Sequence, residues 1–229
     1  GAKIAANGVT FDIKDDSKKA SNGAVGGEIT IDGKTDEVDV IVAYIQYGNY
    51  YNSYTSIEAA IAKAKDGETI GLIRDITASD IITINKAITL DGNGKTLTST
   101  AGRAINVDCE GNVGIKNLTI NASGERAINV IQKPANVTIE NVTATAANYT
   151  VNLASSAGAA EVAISNSNLT GLNVVNVAAA GSEITINGGT ITCNDQNANE
   201  NYAALALNKD AVGGKITATG VTFDIKGGS

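Results

Sequence analysis

The chain contains no His, no Met and no Trp, and it has a single Pro among its 229 residues. Without His, the Ser-His-Asp and Cys-His nucleophile systems, His general bases and His-ligated zinc sites are all excluded. Because translation starts at Met, we expect the chain to be a processed piece of a longer protein, with Gly1 left over from cloning. The sequence therefore lacks the residues for most familiar catalysis before any motif is considered.

Charged and bulky residues are also scarce. Charged residues make up 18% of the chain, with a net charge of −7, and aromatic residues make up 4%. Because nucleic-acid binding needs clustered Lys and Arg, we expect no nucleic-acid partner. No apolar run approaches the roughly 20 residues of a membrane span, so we expect no span. The apolar share of 43% is mostly small and β-branched, which favours a narrow, layered β core.

One strand-forming pattern occurs six times from residue 88 onward. Each copy opens with alternating apolar and polar residues, as half-buried strands do. The openings lie at Ile88, Val113, Val137, Val162, Ile184 and Ile216. A turn position follows each opening and holds only Gly or Asn, the residues that most readily adopt positive φ. These positions are Gly94, Asn117, Asn141, Asn166, Gly188 and Gly220. This restriction has a backbone cause and therefore indicates one repeated turn.

Two further short strands complete most copies of the pattern. The first places an apolar residue between two polar ones, and we expect that residue to point inward. The inward residues are Leu97, Ile120, Ala144, Leu169, Ile191 and Phe223. The second strand covers residues 105–107, 128–130, 151–153, 175–177 and 205–207. Such short strands cannot bury a face alone, so the pattern predicts an all-β parallel β-helix, a solenoid whose stacked coils share one core. One longer interval leaves room for an outward loop at residues 194–202.

A short N-terminal capping helix is predicted near residues 55–67. Thr55 or Ser56 can serve as the N-cap, and Gly67 can end the helix. The apolar stripe consists of Ile57, Ala60, Ile61 and Ala64. Such a helix would cover the open edge and core at the start of the solenoid.

The start of the solenoid carries a family resemblance. The segments YTSIEAAIAKAKDGETIGLIRDIT and KAITLDGNGKTLT resemble the beginning of pectate-lyase-like right-handed β-helix domains of secreted and surface-anchored bacterial proteins. The resemblance covers roughly residues 45–229. It implies a right-handed, single-stranded parallel β-helix and an extracellular or cell-surface location. It specifies the fold well and the function poorly, since one fold hosts many functions.

A second, longer repeat links the two ends of the chain. The heptapeptide GVTFDIK occurs at residues 8–14 and again at 220–226, an offset of 212 residues. We infer a tandem array in the parent protein. Residues 1–45 would then hold the end of a preceding unit and a connector, with a β-hairpin at 28–45, and residues 46–229 would form the β-helix. Extracellular arrays of this kind are typical of stalks and adhesins.

Related β-helix enzymes cleave acidic polysaccharides with clustered carboxylates and a basic residue, and the chain contains candidates of both types. The basic candidates are Arg103 and Arg126, which occupy the same position in adjacent coils and should lie next to each other. The acidic candidates are Asp75, Asp80, Asp91, Asp108, Glu110 and Glu125. The His-containing and paired-Arg motifs of the lyases and the close Asp cluster of the hydrolases are absent. We therefore predict no catalytic residues, no metal site and no cofactor.

Five of the seven tyrosines lie between Tyr44 and Tyr54. Tyr rings with nearby Asn and Gln suit carbohydrate binding, through ring stacking and amide hydrogen bonds. The same residues could instead pack a hairpin onto the capping helix, because a cap needs bulky side chains. The candidate ligand-binding residues are Tyr47, Tyr50, Tyr51, Tyr54, Arg103 and Arg126.

Two other features favour structural roles. Cys109 and Cys193 lie several coils apart, too far for a disulfide. The column formed by Asn106, Asn129, Asn152 and Asn176 is expected to be a stabilising amide ladder rather than a ligand site.

The sequence thus predicts a non-enzymatic adhesin or structural repeat that contacts glycans or other host or cell-surface components. A polysaccharide lyase or hydrolase acting on acidic polysaccharide is one alternative. A carbohydrate-binding module that uses the stretch from Tyr44 to Tyr54 is another. Open β edges invite pairing, so the N- and C-terminal coils are also expected to allow end-to-end self-stacking.

Overall fold

The computed structural model describes residues 3–7, 21–22, 28–31, 39–194 and 202–226. Before the helix, the strands are β1 (Lys3–Ala6), β2 (Ser21–Asn22), β3 (Glu28–Ile31), β4 (Asp39–Val40), β5 (Ala43–Tyr47) and β6 (Tyr50–Tyr54). The helix α1 spans Ile57–Lys63. After it come β7 (Thr69–Leu72), β8 (Ile76–Ala78), β9 (Ile82–Ile84), β10 (Thr89–Ser99), β11 (Arg103–Val107), β12 (Gly111–Ala122), β13 (Arg126–Val130), β14 (Ala135–Glu140), β15 (Thr143–Thr145), β16 (Tyr149–Leu153), β17 (Glu161–Ser165), β18 (Asn168–Gly171), β19 (Val175–Val177), β20 (Glu183–Asn187), β21 (Thr190–Cys193), β22 (Leu205–Leu207), β23 (Lys215–Thr219) and β24 (Thr222–Ile225).

The strands after the helix form a parallel β-helix of about 7 turns, as the repeats predict. Three faces run along its axis. The first face stacks β7, β10, β12, β14, β17, β20 and β23 in parallel. The second face stacks β8, the later halves of β10 and β12, and then β15, β18, β21 and β24. The third face stacks β9, β11, β13, β16, β19 and β22.

The repeated turn between the first and second faces has the backbone geometry that its residues predict. All six positions have positive φ, at 74° for Gly94, 51° for Asn117, 52° for Asn141, 48° for Asn166, 70° for Gly188 and 63° for Gly220. Most L-residues clash in this left-handed region, whereas Gly and Asn tolerate it. The restriction to Gly and Asn is therefore explained by the turn itself.

The core consists of aligned apolar columns. Each residue lies above its counterpart in the previous coil, as in the column Leu90, Ile115, Ile139, Ile164 and Ile186. The middle residues of the second face are also fully buried from Leu97 to Ile191. Because no coil closes a core by itself, each one depends on its neighbours for burial.

The predicted Asn ladder is confirmed on the third face. Asn129 Nδ2 donates to Asn106 Oδ1 at 3.0 Å. Asn152 Nδ2 donates to Asn129 Oδ1, and Asn176 Nδ2 donates to Asn152 Oδ1, both at 2.7 Å. All four side chains are buried. A buried amide needs such partners, so the ladder fixes the register of four coils.

The helix begins where predicted but ends earlier. Ser56 is the N-cap, with its hydroxyl accepting from the N–H of Ala59 at 3.0 Å. The prediction that Gly67 ends the helix is wrong, because the helix stops at Lys63. Lys86 Nζ donates to the carbonyls of Ala62 and Ala64, both at 2.7 Å. This ammonium group from the next coil satisfies the helix end, where cations are favoured.

The predicted hairpin at residues 28–45 is also wrong. Strand β3 pairs in parallel with β1, and β2 pairs in parallel with β4. The hairpin lies later, where β5 and β6 pair antiparallel. Alternating strands give the same sequence signal in both directions, so the pattern could not distinguish them. The first copy of GVTFDIK, at residues 8–14, and most of the predicted loop, at 195–201, lie outside the described residues.

Two further observations concern single side chains. Phe223 was expected to point into the core, yet 45% of it is exposed. It lies in the last coil, where no described strand stacks beyond β24.

Cys109 and Cys193 are both buried and free, and loss of contact with water raises the pKa of the Cys109 thiol. Among the described residues, no helix is long and apolar enough to cross a membrane.

Substitutions at Asn166 test the turn. Asn166→Val should lower the free energy of unfolding by about 1–2 kcal/mol, because a β-branched residue is strained at positive φ. Asn166→Gly should remain close to wild type, since Gly adopts this φ freely. Urea unfolding followed by circular dichroism measures both. Equal losses in the two variants would show that φ is not the constraint.

Candidate functional site

A tyrosine-rich hairpin extends the first face at the N-terminal end of the solenoid. Strand β5 pairs antiparallel with β6 on one side and with β7 on the other. Ala43 and Ile45 of β5 are fully buried in the core. Gly48, with a φ of 59°, lies in the turn between the two strands. The hairpin is therefore anchored through β5 and presents β6 at its outer edge.

The five tyrosines of this hairpin have different environments. Tyr50 is 81% exposed, Tyr51 is 67% exposed and Tyr47 is 36% exposed. Tyr54 is half-buried and packs against the core. A structural role, in which the tyrosines pack the hairpin against the rest of the protein, therefore fits Tyr54. The rings of Tyr50 and Tyr51 are instead exposed to water.

Tyr44 supports the exposed ring of Tyr51. Its ring lies over Gly71, where any larger residue would collide with it. Its hydroxyl accepts from Asn93 Nδ2 at 3.2 Å. The rings of Tyr44 and Tyr51 meet edge to face, with centroids 6.2 Å apart. Tyr51 thus rests against a fixed ring while most of its surface stays exposed.

A polar contact holds Tyr47 against the first coil. Its hydroxyl donates to Glu68 Oε2 at 3.2 Å. Partial desolvation and the adjacent Glu68 carboxylate raise the pKa of the Tyr47 phenol, because both disfavour the phenolate. Glu68 also accepts from the N–H of Lys65 at 2.8 Å, so its position is set by the backbone.

A shallow depression runs along the outer surface of the first face, and we call it the outer trough. Its floor is a column of small side chains in matching register, consisting of Thr89, Gly114, Thr138, Ala163 and Thr185. Two hollows of about 250 and 230 Å³ lie along it and share Thr138. Longer residues form the two rims, with Asn112, Asn136, Glu161 and Glu183 on one side and Asp91, Lys116 and Glu140 on the other.

The charges on the rims are mostly negative. Lys116 pairs with Asp91 at 3.3 Å, and Lys215 pairs with Glu183 at 2.7 Å. Partial burial raises the pKa of Asp91. Hydrogen bonds from Asn93 and Asn117 and the charge of Lys116 lower it by a larger amount, so the pKa of Asp91 lies below its usual value. Glu140 and Glu161 carry two further negative charges. The outer trough is therefore polar and weakly acidic.

The two candidate arginines lie on the third face, away from the outer trough. Arg103 of β11 and Arg126 of β13 are paired in register, which confirms that they are neighbours. The Arg126 guanidinium lies 5.3 Å from the centre of the Tyr149 ring in the next coil. Glu125 Oε1 pairs with Arg126 at 3.3 Å. The ring and the carboxylate together balance much of the charge of Arg126.

The structure does not gather the acidic candidates around these arginines. Asp75 and Asp80 line a pocket of about 520 Å³ between α1 and β8. Asp91 lies on the first face, and Asp108 and Glu110 follow the far end of β11. Of the six acidic candidates, all in the described part of the chain, only Glu125 forms an ion pair with either arginine. The same part contains no group of three or more His, Cys, Asp or Glu residues that could hold a metal ion.

The outer trough was missed by the reasoning from sequence. Its floor residues follow each strand opening by one position, so the aligned repeats contain the column of small residues. The rim residues lie two positions before and after each floor residue, so the aligned repeats contain the rim columns as well. The depression was missed because it depends on the difference in side-chain length between the floor and rim columns. The cation–π contact of Arg126 with Tyr149 was also missed, although Tyr149 occupies the position of Arg126 in the next coil and the repeat could have indicated it.

Comparison with known proteins adds no family assignment. No family model, no curated protein and no solved structure matches the chain. The function must therefore be argued from the surface of the solenoid.

The Tyr47–Glu68 contact predicts a measurable titration. Tyr47 should ionise at higher pH than an ordinary tyrosine, and Glu68→Gln should lower the pKa of Tyr47 by removing the negative charge. The ¹³Cζ chemical shifts of the tyrosines, followed by NMR from neutral to alkaline pH, measure both. Identical titration of Tyr47 in the wild type and in Glu68→Gln would show that Glu68 has no influence.

Proposed function

We propose that the protein is a non-enzymatic module of an extracellular or cell-surface protein, an adhesin or structural repeat of pectate-lyase-like architecture. Its solenoid holds a glycan-contacting surface rigidly. The observation that carries the proposal is the exposure of Tyr51, whose ring packs edge to face on Tyr44, on a hairpin that continues the face bearing the outer trough. Exposed rings on a rigid strand are suited to stack against sugar rings.

The outer trough supplies the second half of the proposed contact. Its floor and rims offer Thr hydroxyls and Asn amides, which both donate and accept hydrogen bonds. Successive coils lie about 4.8 Å apart, so the floor from Thr89 to Thr185 spans roughly 20 Å. An elongated ligand therefore fits this surface better than a compact one. A chain of sugars running from the hairpin along the trough is the proposed geometry.

The rim charges favour a neutral glycan. Asp91 and Glu183 are each paired with a lysine, which leaves Glu140 and Glu161 as the excess charges. A polyanionic chain would meet these carboxylates and be repelled. This argues against the alternative of a lyase or hydrolase acting on acidic polysaccharide, as does the separation of Arg103 and Arg126 from the outer trough.

The scaffold role is supported by the way the coils hold together. Backbone ladders, the Asn ladder and the aligned core all run along the axis, so the solenoid forms a stiff rod. The repeated GVTFDIK segment supports a tandem arrangement of such rods. A stiff array with one contact face per unit is a suitable design for an adhesin or stalk.

The double variant Tyr50→Ala/Tyr51→Ala tests the glycan contact. Glycans are first selected on an array, and affinity for a neutral oligosaccharide is then measured by calorimetry. Loss of the Tyr51 ring should cost about 1 kcal/mol, or roughly fivefold in affinity, and loss of Tyr50, on the opposite face of β6, should add little. Phe223→Ala, which removes a partly exposed ring from the opposite end, should bind like the wild type.

Two results would overturn the proposed function. One is unchanged affinity in the double variant while circular dichroism shows an intact fold. The other is release of unsaturated or reducing sugar from any polysaccharide by the wild-type protein, because that would demonstrate an enzyme.

A further inference from the structure

The two ends of the chain carry nearly the same strand-forming sequence. Residues 3–14 and 215–226 are identical at 10 of 12 positions. The described parts of both segments form parallel strands, β1 at the N-terminal end and β23 in the last coil. The same sequence thus occupies two different places in one structure, and the neighbours of the two strands can be compared.

Both strands pair with the same tetrapeptide. Strand β3 has the sequence EITI at residues 28–31, and β20 has EITI at 183–186. The register places Glu28 opposite Lys3, and it places Glu183 opposite Lys215. One difference is decisive. EITI lies 25 residues after β1 but 32 residues before β23. Because connections between parallel strands are right-handed, the two pairings use opposite edges of the same strand sequence.

We propose that β23 of one molecule binds β3 of a second copy of the chain, in the place that β1 occupies. Strand β23 would then lie between two EITI strands, β20 of its own chain and β3 of the second copy. The expected register follows from β1, with Lys215 opposite Glu28, Ile216 opposite Ile29 and Thr217 opposite Thr30. This inference does not depend on glycan binding.

The last coil has the properties of an incomplete surface. Within the described residues, β22, β23 and β24 each pair with a strand on one side only. Ile225 is 55% exposed, whereas Cys193, its partner in the previous coil, is buried. Phe223 is exposed above the buried Ile191 in the same way. No described strand stacks on these apolar side chains, and an unpaired edge invites a further strand.

Strand β1 is suited to be replaced. It pairs with β3 over only four residues, and Lys3, Ile4 and Ala5 are all exposed. Ile4 alone is 59% exposed, so little apolar burial holds β1 in place. Strand β23 would arrive with a complete solenoid behind it.

Charge selects β3 over β1 as the partner. Direct stacking of β1 from a second copy on β23 in the same register would place Lys3 opposite Lys215. Binding of β3 instead places Glu28 opposite Lys215. Like charges directly opposite each other destabilise strand pairs, and opposite charges stabilise them. Lys215 already forms one such pair with Glu183 at 2.7 Å.

Disulfide trapping in the full-length chain tests the register. Thr30→Cys/Thr217→Cys should give intermolecular dimers and longer ladders on mild oxidation, because paired positions of adjacent parallel strands lie within disulfide range. Ile29→Cys/Thr217→Cys is the matched control and should give few, since its side chains point to opposite faces. The single-cysteine variants control for the buried Cys109 and Cys193.

A second pair of substitutions makes the test independent of how tightly β1 binds. Ala5→Pro/Ala6→Pro removes two consecutive N–H groups from β1, one of which faces β3, and so releases β1. Added to the Thr30→Cys/Thr217→Cys variant, it should raise the yield of cross-linked species roughly tenfold, because more β3 edges become available. Sedimentation velocity of the uncross-linked protein should show the same increase in association.

Two outcomes would overturn the proposal. One is the absence of intermolecular cross-links in the Thr30→Cys/Thr217→Cys variant even after β1 is released, with the fold intact by circular dichroism. The other is efficient cross-linking of Ala5→Cys/Thr217→Cys, which would show β1 stacked directly on β23. Neither outcome bears on the binding of glycans, so this proposal and the proposed function can fail separately.

Discussion

Hydrogen bonding along the solenoid axis is the constraint on which the rest of the structure depends. No coil has a core of its own, so every strand needs the coils above and below it to pair its backbone and bury its apolar side chains. Pairing in register places Ile on Ile and Asn on Asn from one coil to the next. A slip of one residue would turn every buried side chain outward. The buried amide ladder from Asn106 to Asn176 opposes such a slip, because each amide is satisfied only in the observed alignment.

The surface features follow from the same alignment. Because equivalent positions stack, outward side chains also form columns, and a column of small residues between longer ones produces the outer trough. The first coil is covered by the hairpin and α1, whereas β22, β23 and β24 pair on one side only among the described residues. One end of the solenoid therefore presents tyrosines, and the described strands at the other end have a free edge. In the two proposals the first end contributes to a contact face, and the second joins copies end to end.

Features that are encoded within one coil could be predicted from the sequence. The positive-φ turn was predicted because only Gly and Asn occur at its position, and the amide ladder because Asn recurs between apolar residues. Features that depend on a distant partner could not be predicted. Helix α1 ends at Lys63, and the carbonyls at its end are satisfied by Lys86 from the next coil. The exposure of Phe223 depends on what stacks on the last coil. The parallel pairing of Glu28–Ile31 was missed because alternation carries no strand direction.

The most direct test of the axial constraint compares a middle member of the Asn ladder with an end member. Asn152→Ala leaves Asn129 Oδ1 and Asn176 Nδ2 buried without partners, so it should lower the free energy of unfolding by about 2–4 kcal/mol. Asn106→Ala leaves only Asn129 Nδ2 unpaired and should cost about 1–2 kcal/mol. Urea unfolding of the two variants beside the wild type measures the difference. A clearly larger loss at Asn152 supports the account, and equal or negligible losses at the two positions would contradict it.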